Sequence, residues 1–549
     1  MQKLNPEILI KPEVIEKLKE IVGGEQFIST DIEVRSNYSR DMTEQIAPRL
    51  TDVVVLPDNV EQVQQIVKLA NEEKIPIIPY AAGANVGGLT LPTERGAITM
   101  DFKRMRRVIQ LDKKNKYIVI EPGFTFGDLR RLFDTEIPEF RYSFPFSPPY
   151  TSVGVNALLH GLGSLSVLYG SANNFINGLE VVLPTGEIVQ VGNHAINRGE
   201  YWYGREPLPD LCGLFIGMQG TTGIVTKISL QLIDQPKILT HFAILPKDPI
   251  DFLENWVHDL DKLHVCDEIG CGFFPPKVAH GILSPETIDL MAKLMLYLSQ
   301  KNHTKLMKKL WPILKKITFG NPFWFVRHFS SLIARILPPE DEPFLIVGVT
   351  LGADNKKLFK AKYKTLKKFM KKQEALMIPP DDFGEMKPAL MSILDLPTQL
   401  PALYDLKGGG LTWVGSYVPP SRVSEGVARC KKIILDQGLF PVGVLRPMKA
   451  DHYFVMRFII PFDSSNQEEI ERVKIALKGL CEVILDVGGV PYKMAPWAAK
   501  MTWEKGDPSF YKLLKRVKEM LDPNDILNPG RLFVMSEDDL KRKDAEESQ

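Results

Sequence analysis

Pro79–Pro92, PYAAGANVGGLTLP, packs Ala81, Ala82, Gly83 and Ala84 and a Gly87-Gly88 pair into one loop straight after the apolar run Ile75–Ile78. Residues without bulk, placed directly after a strand, let backbone N–H groups crowd around an anion. The natural anion is a diphosphate. No G-K-[ST] closes the loop, so it is not a Walker loop, and the G-x-G-x-x-G spacing of a Rossmann fingerprint is missing. A Gly/Ala-rich loop alone also serves as a plain surface turn. The blocks that follow it downstream carry the reading further.

Around this loop the texture is α+β with short elements. Val53–Leu56 is a β-branched run ended by Pro57, and Val60–Glu73 places Val63, Ile66, Val67 and Ala70 at helical spacing. With Ile75–Ile78 as a buried strand, Thr51–Pro79 reads as a β-α-β unit. Ala97–Asp101, Val108–Asp112 and Tyr117–Glu121 are strand candidates, and Phe126–Phe133 is a helix opened by a Thr125 cap. Leu179–Pro184 and Ile188–Val191 form a hairpin turned at Thr185-Gly186, and Ile224–Leu232 is a further strand. After Pro236 longer helices take over: Phe252–Leu263, Pro285–Ser299, Asn355–Lys372, Val423–Gln437 and Gln467–Leu480. Between them lie strands Phe344–Leu351, Thr412–Tyr417 and Tyr453–Ile460. The division predicted is an N-terminal helical segment (1–50), the loop-bearing domain (51–235) and a second domain (236–487). A C-terminal segment (488–535) and a disordered charged tail (536–549) complete it.

At 549 residues, with 44% hydrophobic and 25% charged residues, the chain has the composition of a soluble globular protein with two or three domains. A net charge of +1 gives no reason to expect nucleic acid. Cys212, Cys266, Cys271, Cys430 and Cys481 are odd in number and scattered, without a C-x-x-C. A disulfide framework or iron–sulfur cluster is not expected, and a reducing, cytoplasmic setting fits. The N-terminus, MQKLNPEILIKPEVIEKLKEIVGG, reads as an amphipathic helix without the apolar core of a signal peptide. Lys305–Leu337 joins a basic half to an aromatic, apolar half. It is too broken to span a bilayer, and packing inside the protein competes with peripheral contact to an anionic membrane surface.

Two more glycine-punctuated blocks follow the loop in order. Thr151–Gly161, TSVGVNALLHG, leads into YGSANNFINGLEVVLPTGEIV, and Gly213–Lys227 reads GLFIGMQGTTGIVTK. Together they resemble the flavin-binding domain of the vanillyl-alcohol oxidase/p-cresol methylhydroxylase superfamily over Asp52–Leu232, resuming at Asn528–Phe533, NPGRLF. The resemblance implies a two-subdomain FAD-binding domain followed by an α+β substrate domain with a large antiparallel sheet flanked by helices. It places the FAD diphosphate over Ala82, Gly83, Ala84, Asn85, Val86, Gly87 and Gly88 and over Ser152, Gly154, Asn156 and Ala157. The adenine and ribose would lie near Gly220, Gly223, Ile224 and Val225, and Arg531 would join the cofactor site. No metal is expected.

KGGGLTWVGSYVPPSRVSEG (Lys407–Gly426), RPMKADHYFVMRFIIPFD (Arg446–Asp463) and GGVPYKMAPW (Gly488–Trp497) resemble the 4-alkylphenol-oxidising branch of that superfamily. Its members bind the substrate phenolate with a Tyr-Arg pair, which falls here on Tyr492-Lys493, and their substrate histidine falls on His452. Lost hydride builds positive charge at a benzylic carbon; ionising the para hydroxyl relieves it. A cation and a hydroxyl donor at the phenol oxygen stabilise the anion in a site poor in water. Lysine supplies that charge as a point rather than a planar fork, and a partly buried lysine has a readily shifted pKa. Tyr169 and Tyr417 are read as packing residues.

Two positions depart from the family pattern. The carboxylate that relatives place after a Y-G near the flavin N5 edge is Ser171 here, following Tyr169-Gly170. The histidine that covalently holds the flavin in vanillyl-alcohol oxidase aligns with Gly409 or Gly410, so FAD is expected to be non-covalent. The leading expectation is an FAD-dependent dehydrogenase of a phenolic or related alcohol that passes electrons to a cytochrome, another redox protein or a quinone. A 2-hydroxy-acid dehydrogenase of the glycolate/D-lactate type is the alternative, with Arg446 as its carboxylate clamp. A flavin-binding relay or assembly subunit without its own substrate is the third reading. A homo-oligomer is expected.

Overall fold

The computed structural model describes residues 7–41, 49–274, 344–378, 408–439 and 441–540. Lys305–Leu337 and Pro285–Ser299 lie outside the described residues.

The N-terminal half holds two sheets. The first has the order β1-β2-β4-β3, from β1 (Ile28–Ser29), β2 (Val53–Val55), β3 (Ile77–Tyr80) and β4 (Ile98–Asp101). β2 and β3 both run parallel to β4, which lies between them. The helix Val60–Glu73 makes the crossover, opened by the Asn59 side chain accepting from the Gln62 N–H. It buries Val63, Ile66, Val67, Leu69 and Ala70, the periodic face read from the sequence. The N-terminal helix Pro12–Val22 buries Val14, Leu18 and Val22 in the same core.

The second sheet, β5-β6-β10-β8-β9, comprises β5 (Val108–Asp112), β6 (Tyr117–Ile120), β8 (Ile176–Val182), β9 (Ile188–Gly192) and β10 (Ile224–Gln231). A short pair, β7 (Phe140–Arg141) with β11 (Ile233–Asp234), lies apart from it. The helix Phe126–Thr135 starts in a capping box between Thr125 and Asp128, and it buries Phe126, Leu129, Leu132 and Phe133 in this sheet's core. The β8–β9 hairpin turns at Gly186, whose φ is +84°.

The C-terminal half is built on one eight-stranded sheet, ordered β15-β12-β14-β13-β17-β18-β16-β19. Its strands are β12 (Ile238–Leu245), β13 (Glu268–Phe274), β14 (Phe344–Ala353), β15 (Leu376–Ile378), β16 (Gly409–Val418), β17 (Val442–Met448), β18 (Tyr453–Asp463) and β19 (Val490–Tyr492). Every pairing in it is antiparallel. Side chains alternate between faces with period two, and that alternation sorts apolar from polar. Val414, Val418, Leu445, Phe454, Met456, Phe458, Ile460 and Phe462 enter the core with residues of helices Val423–Asp436 and Gln467–Asp486. Tyr417, Arg446, Tyr453 and Arg457 fall on the opposite face. A two-sided α+β architecture results, with one face greasy and the other chemically equipped.

The C-terminal segment returns to the first sheet. The Ile77 N–H donates to Ile526 O (2.7 Å) and the Asn528 N–H donates to Ile77 O (2.9 Å), a parallel bridge beside β3. The described part of the charged tail opens on a helical turn. Residues 537–540 are helical, and the Ser536 hydroxyl donates to the Asp539 carboxylate while accepting from the Asp539 N–H. Such local capping stabilises a first turn that composition alone does not reveal. The remainder, 541–549, is outside the described residues.

Candidate functional site

The small-residue loop after β3 is held open by its own side chains. Asn85 Nδ2 donates to Gly83 O (3.2 Å) and Thr90 Oγ1 (3.1 Å), and its Oδ1 accepts from the Leu89 N–H (3.1 Å). The Gly88 N–H donates to the Asp41 carboxylate. Gly87 has φ +84°, and a Cβ there would lie 3.2 Å from the Ala495 Cβ. Glycine is therefore required both by conformation and by the approach of the C-terminal segment.

That segment also supplies the charge. Asn528 Nδ2 donates to Leu89 O (3.3 Å) and Gln219 O (2.8 Å), and Arg531 Nε donates to Asn528 Oδ1 (3.3 Å). Arg531 is 1% exposed, yet both its Nη atoms lack a hydrogen-bond partner among the described residues. Burial pushes the guanidinium down to about 10, against the opposing pull of Asp41, so it stays charged at neutral pH. Gln219 Oε1 and Asn156 Oδ1 are also buried without partners. An unpaired guanidinium inside a protein is costly; a diphosphate satisfies it with charge-assisted bonds. The residues present therefore fit the expected dinucleotide. Ala82, Gly83, Ala84, Asn85, Val86, Gly87 and Gly88 form one rim, and Arg531, Asn528 and Gln219 meet it through Leu89.

The other expected cofactor residues divide by role. Ser152 caps the helix Val153–Leu158, donating to Pro122 O (2.6 Å) and accepting from the Val155 N–H (3.1 Å). A Cβ on Gly154 would sit 2.0 Å from Ile228 Cδ1, so this glycine lets the helix lie on β10. Ala157 is fully buried in the same core. Gly220 (φ +72°) faces Pro79 at the start of the loop, while Gly223 packs on Val181 and Phe215. The side chains of Ile224 and Val225 enter two different cores, which leaves their backbones as the groups available to a ligand. Among the described residues no cluster of three or more His, Cys, Asp or Glu is placed to hold a metal ion.

A second group gathers on the polar face of the large sheet. β19 pairs with β16, setting Tyr492 opposite Gly415, where a Cβ would come within 2.7 Å of the ring. Tyr492 stacks on Tyr417 (centroids 5.1 Å, 19°), and Tyr453 meets Tyr417 edge-on at 5.1 Å. The Tyr492 hydroxyl is buried and unpaired among the described residues. Lys493 follows in the left-handed region at φ +54°. Burial first, then the Arg457 charge, pushes its ammonium down to about 8. Arg457 stands at the β18 position opposite Gly415, its Nε buried and without a partner among the described residues. The Tyr417 hydroxyl donates to His160 O at 2.6 Å. Burial, then Tyr492 and Tyr453, hold that phenol far above its ordinary pKa, so it is neutral.

His452 is placed differently. It is exposed in the β17–β18 turn, just after Lys449, Ala450 and Asp451, all with positive φ. Its neighbour Tyr453 reaches the site, accepting from the Ser171 N–H at 3.2 Å. Arg446 is engaged: it donates to Glu268 (2.9 Å) and to Gly163 O. Tyr169 packs on Phe175. Gly409 and Gly410 open β16, well before the Gly415–Tyr417 stretch.

Sequence reading missed His160 and Asn173. His160 Nδ1 lies 3.1 Å from Asn173 Oδ1, which also accepts from Ser171 Oγ (2.5 Å). A histidine before glycine in NALLHG was the available signal; its meaning depends on Tyr417 and Lys493, more than 250 residues away.

The family model described as "FAD binding domain" matches residues 51–192, and "FAD linked oxidases, C-terminal domain" matches 416–532. The chain is 26% identical to the glycolate oxidase subunit GlcD of Bacillus subtilis (strain 168), over 96% of this chain and 98% of that one. It is equally 26% identical to the 4-cresol dehydrogenase [hydroxylating] flavoprotein subunit of Pseudomonas putida, over 94% of each. Among solved structures, p-cresol methylhydroxylase with substrate bound superposes with a TM-score of 0.77 at 21% identity, covering 95% of this chain and 96% of that one.

Proposed function

We propose, from the premise that this chain belongs to the p-cresol methylhydroxylase-type FAD flavoprotein family, that it dehydrogenates a phenolic alcohol. The chain is an FAD-dependent oxidoreductase, and FAD when bound accepts hydride at N5. The phenolic reading rests on one observation: the Tyr492 hydroxyl, buried and unpaired among the described residues, belongs to a ring stacked on Tyr417 and is followed by the partly buried Lys493 ammonium. The aromatic side chains suit contact with an aromatic ring, and the hydroxyl with the ammonium suits an oxygen anion. Ala82–Gly88, Ser152–Ala157, the Gly220–Val225 backbone and Arg531 would hold the cofactor.

A second reading draws on Arg457. With Lys493 it makes two neighbouring cations, which suit the carboxylate of a 2-hydroxy acid as well as a phenolate. Arg446 is a poor clamp for that acid because Glu268 and Gly163 already occupy it. Anaerobic flavin absorbance separates the two: 4-hydroxybenzyl alcohol bleaches the yellow protein while lactate and glycolate leave it oxidised. Bleaching by the 2-hydroxy acids alone would sink the phenolic reading.

Electrons then pass to a protein or quinone acceptor, and the protein works as a homo-oligomer. Among the described residues no helix is long and apolar enough to cross a membrane. Gly409 and Gly410 offer no side chain for a flavin bond, which supports non-covalent FAD. Trichloroacetic acid is expected to release the flavin into the supernatant; a yellow pellet would refute it.

A further inference from the structure

We propose that His160 is the proton acceptor for a hydroxyl on the carbon being oxidised, so that the substrate is an alcohol converted to a carbonyl compound. This rests on the site assigned above and holds for a phenolic alcohol or a 2-hydroxy acid alike.

Three observations carry it. First, the hydrogen bonds fix the tautomer. Asn173 Oδ1 is an acceptor only, and it receives the Ser171 hydroxyl at 2.5 Å as well as His160 Nδ1 at 3.1 Å. His160 Nδ1 therefore carries the proton and Nε2 is left bare, the arrangement a base needs. Second, the ring sits within the candidate site. Its carbonyl accepts from the Tyr417 hydroxyl, Nε2 lies against Gly217, and Lys493 is close enough for its charge to be felt. A Cβ on Gly217 would come 2.9 Å from Nε2, so a larger residue there would cover it. Third, Ser171 is hydrogen-bonded into the His160 pair through Asn173, which holds the ring in place.

The charge felt at this ring is that of Lys493, and the Tyr417 phenol meets its backbone carbonyl. Burial, reinforced by Lys493, holds the imidazole below its ordinary pKa and so uncharged near neutrality, against the contrary pull of Asn173. The substrate O–H bond breaks and its proton bonds to Nε2; the C–H electron pair leaves as hydride to the family's oxidant, FAD; the carbon–oxygen bond becomes double.

His160→Gly tests this, because φ is +52° at this position and glycine adopts it without strain. The variant is expected to keep its FAD content and to reduce about 10²–10⁴-fold more slowly with 4-hydroxybenzyl alcohol, with added imidazole restoring much of the rate. Reduction by 4-ethylphenol, whose reacting carbon carries no hydroxyl, is expected to change little. Equal slowing with both compounds and no imidazole rescue would overturn the proposal. If only 2-hydroxy acids bleach the wild type, the phenolic reading fails, and slow reduction of the variant by lactate with rescue by imidazole carries the test, normal reduction by lactate overturning the proposal. A readout without turnover stands beside it: 15N-histidine spectra, assigned with His160→Gln, should show the proton on Nδ1 at pH 7. A proton on Nε2, or an imidazolium, would overturn it as well.

Discussion

Arg531→Met is expected to weaken FAD binding on the order of 100-fold without unfolding the protein. The reason lies in what the guanidinium lacks. It is sealed from solvent, it keeps its charge, and neither Nη atom has a hydrogen-bond partner among the described residues. Hydrogen bonds to charged groups contribute about 1.5–3 kcal/mol each, so losing one or two to a diphosphate amounts to about 3 kcal/mol. In the cofactor-free protein the sign reverses. Methionine removes a buried cation whose Nη atoms have no partner among the described residues while keeping the apolar stem, so the apoprotein variant should melt no lower than wild type. FAD at 100 times the wild-type Kd stabilises by about 2.7 kcal/mol. After a 100-fold loss, the same concentration contributes about 0.4 kcal/mol. Fluorescence titration and thermal melts with and without FAD measure both. Unchanged affinity would remove Arg531 from the cofactor site, and a collapsed apoprotein would make it a structural residue. Arg531→Lys should fall between the two, retaining charge but not the fork.

How much of this was legible follows from the range of the interactions. Local order was: the face of Val60–Glu73, the Thr125 cap and the Thr185-Gly186 turn depend on residues a few positions apart. The strands of the large sheet were legible one by one, but their order was not. β13 lies between β14 and β17, and β16 between β18 and β19, pairings that no local pattern encodes. In the candidate site, Tyr492-Lys493 came from a resemblance, and the geometry adds Arg457, Tyr417 and Tyr453 beside it. The step from His452 to Tyr453 is a single residue. The run of left-handed residues Lys449–Asp451 ends the turn so that His452 points to solvent and Tyr453 begins the strand. His160 was hidden for the opposite reason: nothing near it in sequence marks it, and its partners arrive from the second half of the chain.

Lys493→Met is expected to slow oxidation of 4-hydroxybenzyl alcohol by about 30- to 900-fold, the equivalent of roughly 2–4 kcal/mol of lost anion stabilisation. The pH profile separates electrostatics from mere packing. A productive complex holds one proton between lysine and phenol, either as ammonium with phenolate or as amine with phenol. The lysine ionises at about 8 in the free protein, and an ordinary phenol at about 10. Wild-type kcat/KM should therefore rise up to about pH 8, stay level to about pH 10 and fall above it. With Lys493→Arg the cation never titrates, so the rise should continue to the phenol pKa. Stability moves the other way. The ammonium's folded pKa of about 8 lies below its ordinary 10.5, so the unfolded chain binds the extra proton. Wild-type apoprotein thus loses stability as pH falls from 10.5 to about 8 and loses no more below. Lys493→Met escapes that loss, so its melting point should exceed wild type at pH 7 and the difference should vanish above pH 10.5. A variant that turns over normally with flavin bound would sink the phenolate role. A variant that is slow but retains the wild-type pH limbs would show that Lys493 only fills space.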